Sequence, residues 1–255
     1  FQIMTNKLKY FIGNWKMFGD FGSFKIIRKI NQFSYKYQKF YNKKIILCVP
    51  NILIHFFKKK LKSKIISLGA QNCHHHENYG AFTGAVSALM LKKMGAEYII
   101  LGHSENRSEG ETNQIIKRKI ISALNQKLNI IFCIGETYKE KKIGKTFFIL
   151  RKQLRDSLER QFNINKIIFA YEPIWSIGTN KIPKINELEN IIKFIKNECI
   201  KIFKMKKVPK VLYGGSVNHK NIHLFSSISE IDGFLIGGAS QSSKKFIDII
   251  KNYYK

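Results

Sequence analysis

Proline, cysteine, arginine and acidic residues are all scarce in this chain of 255 residues, and no apolar run is long. Only 4 Pro and 17 Gly accompany a hydrophobic content of 44%, which excludes collagen-like, mucin-like and disordered chains and leaves enough apolar mass for a sizeable core. The longest apolar runs, such as Ile99 to Gly102 and Ile130 to Ile134, fall far short of the roughly 20 residues that a membrane helix needs. No membrane span is expected. The 4 cysteines, Cys48, Cys73, Cys133 and Cys199, form no CxxC pair, so neither a zinc ribbon nor a disulfide scaffold follows and a reducing compartment fits. The first apolar stretch is short and runs into Gly13, Asn14 and Lys16, which rules out a secretory h-region and gives a cytoplasmic expectation. Phe1 with Met4 close behind reads residues 1 to 3 as extraneous to the native start.

The shortage of acids leaves 17 Asp and Glu against 45 Lys and Arg, a net charge of +28. Alone, that excess suggests a polyanionic partner. However, 39 of the 45 are Lys and 6 are Arg, whereas groove reading and bidentate phosphate recognition lean on Arg. The lysines are spread through every helical stretch among many Ile, Asn and Phe. That is the pattern of a solvated surface whose composition has drifted, so no specific nucleic-acid partner is expected.

What the chain does have is a repeated alternation. Short apolar runs of strand length lie at Tyr10 to Ile12, Ile45 to Val49, Ile65 to Leu68, Tyr98 to Leu101, Ile130 to Cys133, Ile167 to Ala170, Val211 to Tyr213 and Phe234 to Ile236. Between them are stretches with helical spacing, for example Leu188, Ile191, Ile192, Ile195 and Cys199. Strands apolar on both faces are covered on both sides, as in parallel sheets with helical crossovers. Eight such units without a linker predict one α/β domain over residues 1–255, a (β/α)₈ barrel, although periodicity alone also allows an open doubly wound sheet.

Polar and glycine residues cluster just after the strands, where a parallel barrel gathers its loops into one rim. Glu172 ends the sixth strand and precedes Pro173; a partly desolvated carboxylate there is a stronger base. The segment to Pro183, with Trp175 and Gly178 inside it, reads as a lid bracketed by prolines. His103 follows the fourth strand and could donate to a carbonyl, and Lys16, after Asn14, offers a fixed positive charge. Gly214-Gly215-Ser216 and Gly237-Gly238 follow the last two strands, where backbone N–H groups of barrels often hold phosphate. The run Cys73-His74-His75-His76-Glu77 lacks a second ligand cluster at metal-site spacing; it reads as an exposed loop, with no metal.

Taken in order, Gly13-Asn14-Trp15-Lys16-Met17, Gly102-His103-Ser104-Glu105, Ala170-Tyr171-Glu172-Pro173-Ile174-Trp175, Ile177-Gly178-Thr179, Tyr213-Gly214-Gly215-Ser216-Val217 and Gly237-Gly238-Ala239-Ser240 closely resemble the triosephosphate isomerase family across the whole chain. The resemblance implies interconversion of D-glyceraldehyde 3-phosphate and dihydroxyacetone phosphate through an enediolate, with no cofactor. It implies Glu172 as base, neutral His103 as the group that polarises the carbonyl, and Lys16 with Asn14 on the substrate, supported by Glu105. Backbone groups at Gly178, Ser216, Gly237 and Gly238 would hold the phosphate. It also implies a homodimer in which the loop from Gln71 to Gly84, with Thr83 at its tip, inserts beside a partner's lysine and histidine.

Three departures stand out. Ala85 and Asn106 occupy positions where the family commonly has a Glu and an Arg that pair across the dimer. Losing both avoids an unpaired buried charge, so a retained dimer of altered strength is expected. Asn180 replaces a usual Gly, which its tolerance of positive φ allows. Pro183 stands where the family often has an N–H that meets the Tyr213 hydroxyl on lid closure. Proline has none, so the closed lid loses a hydrogen bond unless Tyr213 finds another partner.

Overall fold

The structure, a computed structural model, describes residues 7–61, 65–204 and 208–255; residues 1 to 3 lie outside that range. Eight strands form a closed barrel in sequence order. They are β1 (Lys9–Asn14), β2 (Lys43–Cys48), β3 (Ile66–Ala70), β4 (Tyr98–Leu101), β5 (Asn129–Ile134), β6 (Ile167–Tyr171), β7 (Lys210–Tyr213) and β8 (Gly233–Ile236). Neighbours pair parallel throughout, and β1 closes the ring by pairing with β8, Phe11 opposite Phe234. All eight apolar runs read from the sequence are strands, and the open-sheet alternative is gone.

The double-sided apolar pattern has a direct cause. One set of alternate side chains, including Tyr10, Ile12, Ile46, Ile100, Ile131, Ile168, Leu212 and Leu235, packs inside the barrel. The other set, including Phe11, Ile45, Leu47, Phe169, Tyr171 and Phe234, packs outward against the helices. Strand side chains alternate with period two, so burying both faces requires both to be apolar.

The covering helices are α1 (Phe24–Lys36), α2 (Asn51–Lys60), α3 (Ala88–Lys93), α4 (Ser104–Ser108), α5 (Asn113–Asn125), α6 (Tyr138–Lys142), α7 (Thr146–Ser157), α8 (Ile185–Phe203) and α9 (Ser243–Tyr253). In α8, Leu188, Ile191, Ile192, Ile195, Cys199 and Phe203 are buried, the single stripe that 3.6-residue periodicity produces. Side chains fix where several helices start. Ser87, Thr112 and Ser242 accept backbone N–H groups at α3, α5 and α9, and Thr137 with Glu140 makes a capping box at α6.

The expected helical crossover fails between β7 and β8, where a 3₁₀ turn at Ile222–Phe225 takes its place. Ile222, Phe225, Ile228 and Ile231 are buried there at a spacing of three, the period of a 3₁₀ rather than an α helix. Asn218 also accepts from the N–H groups of Lys220 and Asn221, which holds the chain in turns. Among the described residues, no helix is long and apolar enough to cross a membrane.

Candidate active site

The carboxyl ends of the strands carry a cleft of about 240 Å³, lined by Asn14, Lys16, His103, Glu172 and the glycine loops after β7 and β8. These residues lie far apart in sequence, and the barrel brings them to one rim.

Glu172 leaves the end of β6 with its N–H donating to Ile134 O at 2.8 Å. Its side chain is 4% exposed. A Cβ at Gly214 would stand 2.6 Å from its Cγ, so only glycine after β7 leaves the carboxylate room. Oε1 lies 3.5 Å from His103 Nε2, and among the described residues the buried Oε2 has no hydrogen-bond partner. Beneath it the Cys133 thiol is pushed well up by burial first and by the neighbouring carboxylate second.

His103 is the residue before α4, and its Nδ1 accepts the Glu105 N–H at 3.2 Å. An imidazolium would turn an N–H toward that N–H, so the geometry fits a neutral ring whose proton sits on Nε2, facing Glu172 and the cleft. The Glu105 carboxylate, 3.7 Å from Nδ1, is too distant for a hydrogen bond. It is engaged instead by Lys16, with Nζ to Oε1 at 2.5 Å. Lys16 has φ +57, an uncommon conformation for a non-glycine residue. Its N–H donates to Asn14 Oδ1 at 3.1 Å, which turns the long side chain toward Glu105 and the cleft.

On the opposite side are the glycines. Gly237 and Gly238 begin a 3₁₀ turn, and an added Cβ at Gly238 or Gly178 would meet nothing within 4 Å. Their backbone is therefore open to a ligand. Ser216 differs: its N–H donates to Ser176 Oγ at 3.2 Å, and its hydroxyl donates to Ser176 O at 2.8 Å.

The segment from Pro173 to Pro183 lines the cleft through Ile177, Gly178 and Asn180 and is tied down at several points. Asn180, at φ +61, donates its N–H to Ser216 Oγ at 3.0 Å. Trp175 donates Nε1 to Glu136 Oε1 at 3.0 Å, and Tyr171 donates its hydroxyl to the same carboxylate. Glu136 is fully buried; desolvation pushes its carboxyl above the usual range while these donors oppose it.

Thr83 is not brought to this rim. It stands exposed on its loop, beside Phe82, whose ring lies 4.4 Å from that of His74. The Cys73 to Glu77 run is only partly the exposed loop expected. His76 is exposed, His74 and His75 are half-buried, and Cys73 is buried; among the described residues no metal-holding cluster of His, Cys, Asp and Glu exists. Ala85 and Asn106 line two separate recesses, of about 230 Å³ and 350 Å³, the second shared with Lys16, Met17 and Glu105.

Sequence reasoning missed Glu136, Arg107 and Ser176. Arg107 donates to the carbonyls of Gly102 and Cys133 and to Asn113 Oδ1, binding the loop after β4 to the end of β5. Glu136 carried a signal, being a carboxylate two residues past the end of an apolar strand. Ser176 carried none, since its rim partners Tyr213 and Ser216 come from the distant loop after β7.

A sequence model of the family described as triosephosphate isomerase matches residues 9–253. The triosephosphate isomerase of Dictyoglomus thermophilum is 41% identical over 253 residues, covering 96% of this chain and 99% of the relative. That of Alkaliphilus metalliredigens is 38% identical over 211 residues, 81% of this chain and 85% of the relative. The crystal structure of triosephosphate isomerase from Bartonella henselae superposes with a TM-score of 0.87 at 34% identity, covering 97% of this chain and 99% of that one. The chain belongs to the triosephosphate isomerase family.

Proposed function

We propose that the chain interconverts D-glyceraldehyde 3-phosphate and dihydroxyacetone phosphate through an enediolate, without a cofactor. Glu172 takes the proton from the hydroxyl-bearing carbon next to the carbonyl. His103 Nε2–H donates to the carbonyl oxygen and moves the proton between the two oxygens. Glu172 then returns its proton to the neighbouring carbon, so the atoms balance with no external oxidant or reductant. Lys16 and Asn14 orient the substrate oxygens and offset their charge, with Glu105 holding the lysine; backbone at Gly178, Gly237 and Gly238 receives the phosphate, while the Ser216 N–H expected beside them is held by Ser176 Oγ. The lid excludes water, which suppresses loss of phosphate from the enediolate.

The observation that carries this reading is the pairing of two buried groups: Glu172, with one unpartnered oxygen, and His103 Nε2 at 3.5 Å, its other nitrogen already accepting an amide. A base and a neutral proton donor side by side are what proton transfer next to a carbonyl requires. A coupled assay of glyceraldehyde 3-phosphate conversion, run beside Glu172→Gln, tests it. Turnover that falls by at least about 10²-fold in the variant agrees with a positioned base; a folded wild type without turnover removes the reading.

The same reading includes a homodimer, with Thr83 of each copy reaching the other's rim. The recess of about 350 Å³ beside Lys16, His103 and Asn106, the fully exposed Met17 and the exposed Tyr79 and Phe82 support it. A cytoplasmic location suits four free, buried cysteines.

A further inference from the structure

Inside the lid, the Ser176 side chain is 0% exposed and meets three partners. Its hydroxyl oxygen lies 2.5 Å from Lys181 O, 3.0 Å from the Tyr213 hydroxyl and 3.2 Å from Ser216 N. A serine hydroxyl has one proton and two lone pairs. The carbonyl of Lys181 can only accept, so the proton goes there; the Ser216 N–H can only donate, so it fills one lone pair. Tyr213 must therefore donate into the other, and every valence of the hydroxyl is used. Burial pushes the Tyr213 phenol up and the bond to Ser176 opposes that, so the phenol keeps its proton for donation. Gly215 leaves the space: a Cβ there would lie 2.3 Å from the Tyr213 oxygen and 2.6 Å from Ser176 Oγ.

The second half of the lid offers Tyr213 little else. Pro183 is buried and has no N–H. From Asn180 to Pro183 the lid is instead held through Asn180 N–H on Ser216 and Lys181 O on Ser176. We propose that the Ser176 hydroxyl is the latch of the closed lid, a positioning residue that joins both ends of the lid to Tyr213 and Ser216 on the rim and, by accepting from the Tyr213 hydroxyl, gives that hydroxyl a lid partner where Pro183 has no N–H. The inference rests on the isomerase reading for its kinetic consequences, while the latch itself rests on these contacts.

The test compares wild type, Ser176→Ala, Pro183→Ala and the double variant. Losing one buried hydrogen-bond network corresponds to a shift of roughly three- to tenfold in lid occupancy. Ser176→Ala should raise KM for glyceraldehyde 3-phosphate by that factor, and should raise the inorganic phosphate released per isomerisation, because the enediolate is exposed to water more often. A merely structural serine would move the melting temperature and not the phosphate leak. The double variant should recover part of both effects, since residue 183 then carries an N–H that can pair with the Tyr213 oxygen. Unchanged KM and phosphate leak in Ser176→Ala, or additive damage in the double variant, overturns the latch. If wild type is folded but inert toward the triose phosphate, the isomerase reading fails by itself and the latch is still decided by Trp175 fluorescence with inorganic phosphate as the probe. A shift toward the open-lid signal in Ser176→Ala supports it, and superimposable titrations overturn it.

Discussion

At the residue scale, the site depends on small residues as much as on reactive ones. Gly214 is the clearest case, since a methyl group there would lie 2.6 Å from Glu172 Cγ and the carboxylate is the part free to yield. Gly214→Ala should lower kcat by about 10²-fold, the effect of a catalytic group displaced by an ångström, with KM and the thermal melt little changed. Steady-state kinetics and a melting curve check it; an unaltered kcat contradicts it. The residues that share the cleft, Asn14 and Lys16, His103 and Glu172, were legible in the sequence because each follows a strand and sits in a motif. Ser176 was not, and the place of Glu136 after a strand was legible while its role was not, because both roles come from neighbours more than 30 positions away, Tyr213 and Ser216 in one case and Tyr171 and Trp175 in the other. The bond that Pro183 forfeits is replaced by such a neighbour, which spacing along the chain could not reveal.

At the scale of elements, all eight strands were readable because each is apolar on both faces and bounded by polar or glycine residues. The β7–β8 connection was misread because its apolar residues recur every three positions, a pattern that looks helical until the asparagine turns are seen. The seam where β1 meets β8 carries a further consequence. Lys9, in β1, is 2% exposed and its ammonium donates to Ile231 O. Burial first, then repulsion from Lys7, pushes it down from 10.5 to about 8. Between pH 8 and 10.5 the unfolded chain holds more protons than the native one, so this group makes stability rise with pH across that window, and its cost is fully present below pH 8. Lys9→Met removes that dependence. The stability difference between Lys9→Met and wild type, from urea unfolding, should therefore change between pH 7.5 and 10.5 in the direction that favours wild type at the higher pH. A difference that stays constant across the window contradicts the assignment.

At the scale of the whole molecule, the barrel gathers residues from five loops into one cleft, and the net charge of +28 favours the approach of anions to the molecule in general. The loop carrying Thr83 and the recess beside Asn106 argue for a dimer that lacks a Glu–Arg pair at Ala85 and Asn106. Sedimentation over falling protein concentration should show a dimer at micromolar concentration that dissociates on dilution, and a monomer at micromolar concentration contradicts it. In the proposed reaction Glu172 carries a proton from one carbon to its neighbour through an enediolate, with exchange against solvent while the proton is on the carboxylate. The most direct measurement is turnover of glyceraldehyde 3-phosphate in D₂O, followed by NMR for wild type and Glu172→Gln. Dihydroxyacetone phosphate carrying deuterium at C1 is expected in a measurable fraction of wild-type product, with almost no product of either isotopic form from the variant. Rapid turnover with no deuterium at that carbon, or an unimpaired variant, would contradict it.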